Sequence, residues 1–438
     1  MNPPLPMDGV LPPDLLGTLV RVGPGSEAAG ALHAIELRDG AAVSYVTGSS
    51  EADANVFWHA GSLLALAETG LPQRFSRALE PEEFDGGLSR PIASHVHRDS
   101  VTGGRVLFGV EPGTETSSPV LRIGEWDATG ALAHYQGVVL ERATWQHDIG
   151  VTHGHVVFME SPTVYGEDLA DDGVAVPFRW TPGAEGWIGV VDRTGDGTDV
   201  RWIRQDPCLV THVLGAYEEG DGGKGGTGGT GGTGGTGGSA GTGGAIVMHV
   251  VRYPVPESGQ PFDRASSVVG RAGIGESLIG GGLCVLERWR IEGTTCEQAQ
   301  VDDRMVEYVQ ADPLCEGARF RHGYGVEVAP VAAGSVEVGD VDHLGLVMID
   351  VARDEVRSWS PGEYRVASEP LFVRAADGEG DDEGWLLTVV YDATQAASDI
   401  YVLDASSFGR RAPQAVIHLP AGLPFRSHGT WVGADRYR

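Results

Sequence analysis

Lysine is almost missing from this chain: of 438 residues only Lys224 is one, and every other basic side chain is arginine. Abundant Arg, Gly and Ala beside so little Lys fits a GC-rich prokaryotic genome or a salt-adapted organism, and neither bears on function. Positive charge as a whole is scarce, with a formal net charge of −30. A surface this acidic repels phosphates and anionic headgroups, which argues against a nucleic-acid partner. Cysteine is scarce too: Cys208, Cys284, Cys296 and Cys315 form no CxxC pair and read as reduced thiols of a cytoplasmic protein. No apolar stretch reaches the roughly 18 residues of a membrane-spanning helix. The opening MNPPLPMDGVLPPDLLG has neither a basic region nor an apolar run of signal length. HExxH is missing, and the one GxSxG match, at residues 237–241, falls inside a glycine-rich tract with no strand-like run before it or helical pattern after it to make an elbow, which leaves acyl hydrolysis and zinc proteolysis without a foothold.

What the chain does have is short apolar or alternating runs broken by Gly, Pro and Asp, such as RVLFGVE, HVVFME, GWIGVVD, LGLVMID and GWLLTVVYD. These are strand-length and rich in Val and Ile, and long helical periodicity is hard to find. The expected class is all-β, built from many short antiparallel strands. One segment, residues 220–244, is almost pure Gly and Thr and has no side chains from which to build a core. With signature motifs on both sides of it, it reads as a flexible surface insertion rather than a linker between domains. DRTGDGTD, from Asp192 to Asp199, begins like a calcium loop, but Ile203 holds the place of the closing glutamate, so a turn is expected.

Chemistry is concentrated in histidines and acids. His95 stands in ASHVHRDSVTG, His147 in WQHDIGVTHGHVVF, His212 in THVLGAYEEGD and His428 in PFRSHGTW. Between and around them lie Glu68 in LLALAETGLP, Glu307 in VEYVQADP and Glu369 in SEPLFV. Imidazole is the commonest side-chain ligand of first-row metals, and its second ring nitrogen usually wants an acceptor, often a carboxylate. The first two spacings, 52 and 65 residues, are near the length of one propeller blade, roughly 40 to 60 residues. Residues at equivalent places on inner strands face a common axis, so histidines far apart in sequence can meet there. A chain of this length suits about seven blades. Spacing alone leaves alternatives open. His97 shares a strand face with His95, and His153 and His155 follow His147 closely. Among the acids, only Glu68 stands out locally, because it follows the buried-looking run LLALA and an acid there needs a partner.

Seven signatures in order resemble those of the carotenoid cleavage oxygenases. That family includes carotenoid and apocarotenoid dioxygenases, stilbene-cleaving dioxygenases and the retinoid isomerohydrolase of the eye. The resemblance runs from LPPDLLGTLVRVGPG to FRSHGTW, over nearly the whole chain. It implies a seven-bladed β-propeller, with loops and short helices doming one face, as a single domain over residues 1–438. It implies one iron(II) per chain on the axis, held by His95, His147, His212 and His428, with Glu68, Glu307 and Glu369 behind three of them. It prefers His95 over His97 as the first ligand. Dioxygen is the implied co-substrate, and the implied reaction is oxidative cleavage of a conjugated C=C bond of a carotenoid or apocarotenoid to two carbonyl products. A stilbene or phenylpropanoid substrate is the alternative within the family. Non-oxidative isomerase or hydrolase chemistry at the same iron site, and a propeller that only binds an apolar ligand, are the alternatives of other classes.

The chain departs from the family pattern in places. Val96 replaces a usual proline, and Gly215 replaces a usual asparagine. An Asp-Gly-Asp-Gly segment expected after GPG is missing, which suggests a trimmed early blade. Stilbene-cleaving relatives carry lysine where this chain has Ala67, which favours a long apolar polyene. Such a substrate needs an apolar tunnel, for which Trp145 and Phe425 are the candidate walls, an ordinary core position being the alternative. Its uptake would involve peripheral contact with a membrane.

Overall fold

The computed structural model describes residues 4–24, 30–114, 116–171, 177–181, 183–220, 244–254, 284–328, 345–420, 423 and 428–434. Within them the chain forms seven antiparallel sheets arranged as the blades of a propeller, plus two two-stranded ribbons. The inner three strands of blade 1 are Gly429–Gly433, Gly17–Pro24 and Gly30–Arg38, with Ala41–Ser50 outermost. Blade 2 spans Asn55–His59 to Pro81–Glu82, and blade 3 runs from His97–Arg98 to Leu132–Val139. Blade 4 runs from Gly150–Val151 to Val200–Gln205, and blade 5 from Cys208–Glu218 to Thr295–Asp302. Blade 6 runs from Val306–Ala311 to Glu355–Trp359. Blade 7 is built on Gly384–Asp392, Ala397–Asp404 and Ala415–His418, with Leu371–Arg374 on its inner side and Met7–Gly9 added outside.

The apolar runs are continuous because a middle strand is buried on both faces. In His155–Glu160 of blade 4, Val156 and Phe158 pack toward blade 3 while Val157 and Met159 pack toward blade 5. Alternation along a strand makes this two-sided packing automatic. The same arrangement repeats round the ring, with one buried cluster between each pair of consecutive blades. Trp289 and Trp126, both fully buried, fill two of these seams.

Two pairings close the ring. Gly429–Gly433 completes blade 1 by pairing with Gly17–Pro24, Arg21 opposite Gly429. Met7–Gly9 pairs with Ala415–His418, so the start of the chain extends the last blade. Blade 1 retains four strands, and the expected early shortening falls on the connection at 25–29, where Pro24 already stands opposite Gly30. Nearly the whole Gly/Thr tract, 221–243, lies outside the described residues.

Each inner strand begins at the same end of the ring, and the histidines stand at or near those beginnings. Antiparallel order then returns the connection between second and third strands to that end. In blade 4 this connection forms the ribbon Thr163–Tyr165 with Phe178–Trp180 and the helix Glu167–Asp171. Backbone hydrogen bonds tie it to the segment leading into His147, from Trp145 N to Thr163 O (2.8 Å) and from Tyr165 N to Ala143 O (2.8 Å). Among the described residues, no helix is long and apolar enough to cross a membrane.

Candidate metal centre

His95, His147, His212 and His428 meet at one end of the axis. Ring centroids are 4.6 Å apart for His95 and His147, 5.1 Å for His95 and His212, and 4.8 Å for His95 and His428. His212 lies 5.2 Å from His147 and 5.4 Å from His428. The candidate ligand atoms of His95, His147 and His212 all fall within 4.8 Å of one another.

Local backbone irregularity aims these side chains. In blade 5 the register shifts between Val210 and His212, making Thr211 the extra residue of a bulge. A bulge redirects the side chain beside it. In blade 6 the register shifts between Glu307 and Gln310, and Tyr308 takes a positive φ of 51°. A non-glycine residue in that region is strained, and such strain concentrates at functional sites. The Tyr308 ring packs 5.3 Å from His212 and 5.2 Å from His428.

Three of the four rings rest on buried carboxylates. His147 Nδ1 donates to Glu68 Oε1 (2.6 Å), His212 Nδ1 to Glu307 Oε2 (2.5 Å) and His428 Nδ1 to Glu369 Oε1 (2.8 Å). An ionised carboxylate only accepts, so each ring carries its proton on Nδ1 and its lone pair on Nε2. The carboxylates are themselves held. Glu68 accepts from Ser94 Oγ and from Trp145 Nε1, both at 2.9 Å. Glu307 accepts from Thr211 Oγ1 (2.9 Å) and from the Tyr253 hydroxyl. Glu369 accepts from the fully buried Arg21 (3.2 Å) and from Gly429 N (2.9 Å). Burial alone would raise the carboxyls of Glu307 and Glu369, but His212, and His428 with Arg21, hold them below their usual range.

The Nε2 atoms are the unsatisfied part of this arrangement. In His95, His147, His212 and His428, Nε2 is buried and has no hydrogen-bond partner. An orphaned buried polar atom costs about 1–3 kcal/mol, and four such atoms at one place fit a bound cation. Burial and the neighbouring imidazoles push His95 well below the usual histidine range, which keeps its lone pair free.

A cavity of about 670 Å³ continues from the imidazoles along the innermost strands, and its lining includes His95, His97, Asp148, His212, Glu369 and His428.

The family model of the retinal pigment epithelial membrane protein matches residues 36–433, a span that holds all seven signatures, from Glu68 to His428. The chain belongs to the carotenoid cleavage oxygenase family. It is 26% identical to isoeugenol monooxygenase of Pseudomonas nitroreducens over 397 residues, 87% of this chain and 75% of that protein. Its fold matches the lignostilbene dioxygenase of Pseudomonas brassicacearum with a TM-score of 0.79 and 21% identity, covering 98% of this chain and 95% of that one. It matches the Synechocystis apocarotenoid oxygenase at 0.78 and 20%, with the same coverage.

His97, the competitor of His95 in the sequence, is placed differently in this oxygenase. Its Nε2 faces Asp148 Oδ1 at 2.7 Å and its Nδ1 faces Glu316 Oε1 at 2.6 Å. With a carboxylate on each nitrogen both must donate, and no lone pair remains for a metal. Burial works against its charge, but Asp148 and Glu316 outweigh burial and raise it to about 10. His155 is similarly engaged, on Glu218 Oε1 at 2.9 Å. Trp145 is buried behind the histidines, 5.1 Å from the His147 ring and stacked on Phe178, with its indole N–H on Glu68. Phe425 lies outside the described residues. Gly215, unusual for the family, makes room for Phe320, since a Cβ there would lie 2.6 Å from Cε1 of that ring. The roles of Arg21, Ser94, Thr211 and Tyr253 in holding the carboxylates were not readable from the sequence, because each reaches its glutamate from a separate segment of the chain.

Proposed function

We propose that His95, His147, His212 and His428 hold one iron(II) per chain, and that this oxygenase splits a conjugated C=C bond of an apolar small molecule into two carbonyl products. The observation that carries the reading is the set of four buried, unpartnered Nε2 atoms, three of them on rings whose other nitrogen rests on a buried glutamate. Four neutral nitrogen donors suit a divalent first-row metal and leave it places for other ligands. Bound there, iron(II) supplies the activation of dioxygen. Glu68, Glu307 and Glu369 set the tautomer of three rings, keep them from turning and place negative charge near the cation. The substrate needs no nucleophile or general base from the protein.

Within this reaction we assign a carotenoid or apocarotenoid as substrate. Ala67, directly before Glu68, offers no cation to a phenolate, and Lys224 lies in the glycine tract. The net charge of −30 disfavours anionic substrates as well. A phenylpropanoid is the second reading, favoured by the 26% identity to an isoeugenol monooxygenase. The test is anaerobic loading with iron(II), then assay of an apocarotenal, isoeugenol and a 4-hydroxystilbene under ¹⁸O-labelled dioxygen. Labelled carbonyl products from the apocarotenal are expected. Turnover of isoeugenol or the stilbene with no carotenoid or apocarotenoid cleaved would reverse the substrate assignment. Product without label would overturn the oxygenase reading.

A further inference from the structure

Three of the four imidazoles have a glutamate at Nδ1, whereas His95 has no carboxylate recorded on it among the described residues. A different network stands beside it. His97, two residues on, is gripped by Asp148 at 2.7 Å and by Glu316 at 2.6 Å. Glu316 also accepts from Arg98 N at 2.7 Å, so it holds both the ring and the backbone that follows His95. Asp148 accepts from its neighbour Ile149 N at 2.8 Å and, with its other oxygen, from Val213 N at 2.7 Å. Asp148 directly follows His147, and Val213 directly follows His212.

We propose that His97, Asp148 and Glu316 form a clamp that positions His95, and keeps its segment in register with those of His147 and His212, for metal binding. The proposal rests on the metal reading given above. The three inner strands belong to blades 3, 4 and 5, and backbone hydrogen bonds within a blade cannot set their relative heights along the axis. The clamp ties all three together within two residues of each imidazole. Glu316 comes from the loop after the first strand of blade 6, across the ring, and Asp312 at the root of that loop is paired with Arg374 of blade 7 (Nε to Oδ2, 2.8 Å). His97 is therefore a positioning residue, and its two carboxylates replace the single glutamate that the other rings use.

The test uses full-length protein loaded with cobalt(II), whose visible spectrum reports its ligand set, and measures affinity by competition with a chelator. Wild-type protein should bind one cobalt per chain. Glu316→Gln should melt close to wild type without metal, lose roughly tenfold in affinity and show a changed visible band. His97→Phe should lose more, and Glu316→Asp should regain most of what Glu316→Gln loses. In a His95→Ala background, Glu316→Gln should have little further effect, since the clamp acts through His95. Wild-type affinity and spectrum in both Glu316→Gln and His97→Phe would overturn the proposal, as would an undiminished effect in the His95→Ala background. If wild-type protein itself binds no cobalt, the metal reading fails, and the clamp with it.

Discussion

His212 on blade 5 donates its Nδ1 proton to Glu307 on blade 6 across 2.5 Å, so one imidazole is oriented by the neighbouring blade. His428 and Glu369 repeat this between blades 1 and 7. The candidate metal centre thus doubles as a set of joints between blades.

Glu307→Ala is expected to lower metal affinity about 10–100-fold, the usual scale for loss of a carboxylate behind a ligating histidine. The Thr211 and Tyr253 hydroxyls lose their acceptor as well. Chelator competition together with a melting curve checks this. Unchanged metal binding in Glu68→Ala, Glu307→Ala and Glu369→Ala alike would remove the carboxylates from the account.

Gly215→Ala should destabilise the protein by about 1–3 kcal/mol, the usual scale of overpacking. The new Cβ would press on the Phe320 ring, which also meets the buried His249 edge-on with centroids 5.7 Å apart. Adding Phe320→Leu should recover most of the loss. Melting temperatures of the single and double variants decide the point, and a fully stable Gly215→Ala protein would show that the ring moves freely.

Replacing residues 221–243 with Asn-Gly should leave melting temperature and metal affinity nearly unchanged. Glu218 pairs with Ile246, and Glu219 N donates to Ala245 O at 2.7 Å, so the strands already meet at the point of excision. Asn-Gly is the residue pair a tight hairpin favours, and long loops add little closure entropy. A large fall in either quantity would assign the tract a structural role.

Glu218 should show its contribution in acid. His155 and Thr152 bind its carboxylate and, against the opposing effect of burial, lower it to about 2 from an ordinary 4.5. A depressed carboxyl stabilises the fold above its unfolded value and loses that contribution as pH falls through its folded value. The gap in melting temperature between wild type and Glu218→Gln should therefore be full above pH 4.5 and shrink toward pH 2. A gap that stays constant over that range would show that the charge of Glu218 contributes nothing.

The strands were legible because they are buried on both faces: RVLFGVE became Arg105–Glu111 and GWLLTVVYD became Gly384–Asp392. The four histidines were legible through their signatures, and the structure brings them together with the three glutamates. Spacing could not separate His95 from His97, since alternation along a strand would put both on one face; in the structure the strand begins only at His97. What separates them is Asp148 and Glu316, 51 and 219 residues from His97. Contacts of that range follow from how the blades come together and have no local pattern. The Arg21 contact to Glu369 spans 348 residues and was invisible for the same reason.

The closing strand Gly429–Gly433 gives synthesis an order. His428 opens that strand and is made 216 residues after His212. Until that strand is made, three imidazoles are present, but Gly17–Pro24 lacks a partner on one edge and the ring is open. Blades made earlier can already be packed on one another. The fourth imidazole and the missing strand then arrive together, so one step covers the exposed edge and completes the candidate metal site. A nascent chain therefore cannot load metal at the full four-histidine site before its propeller is sealed.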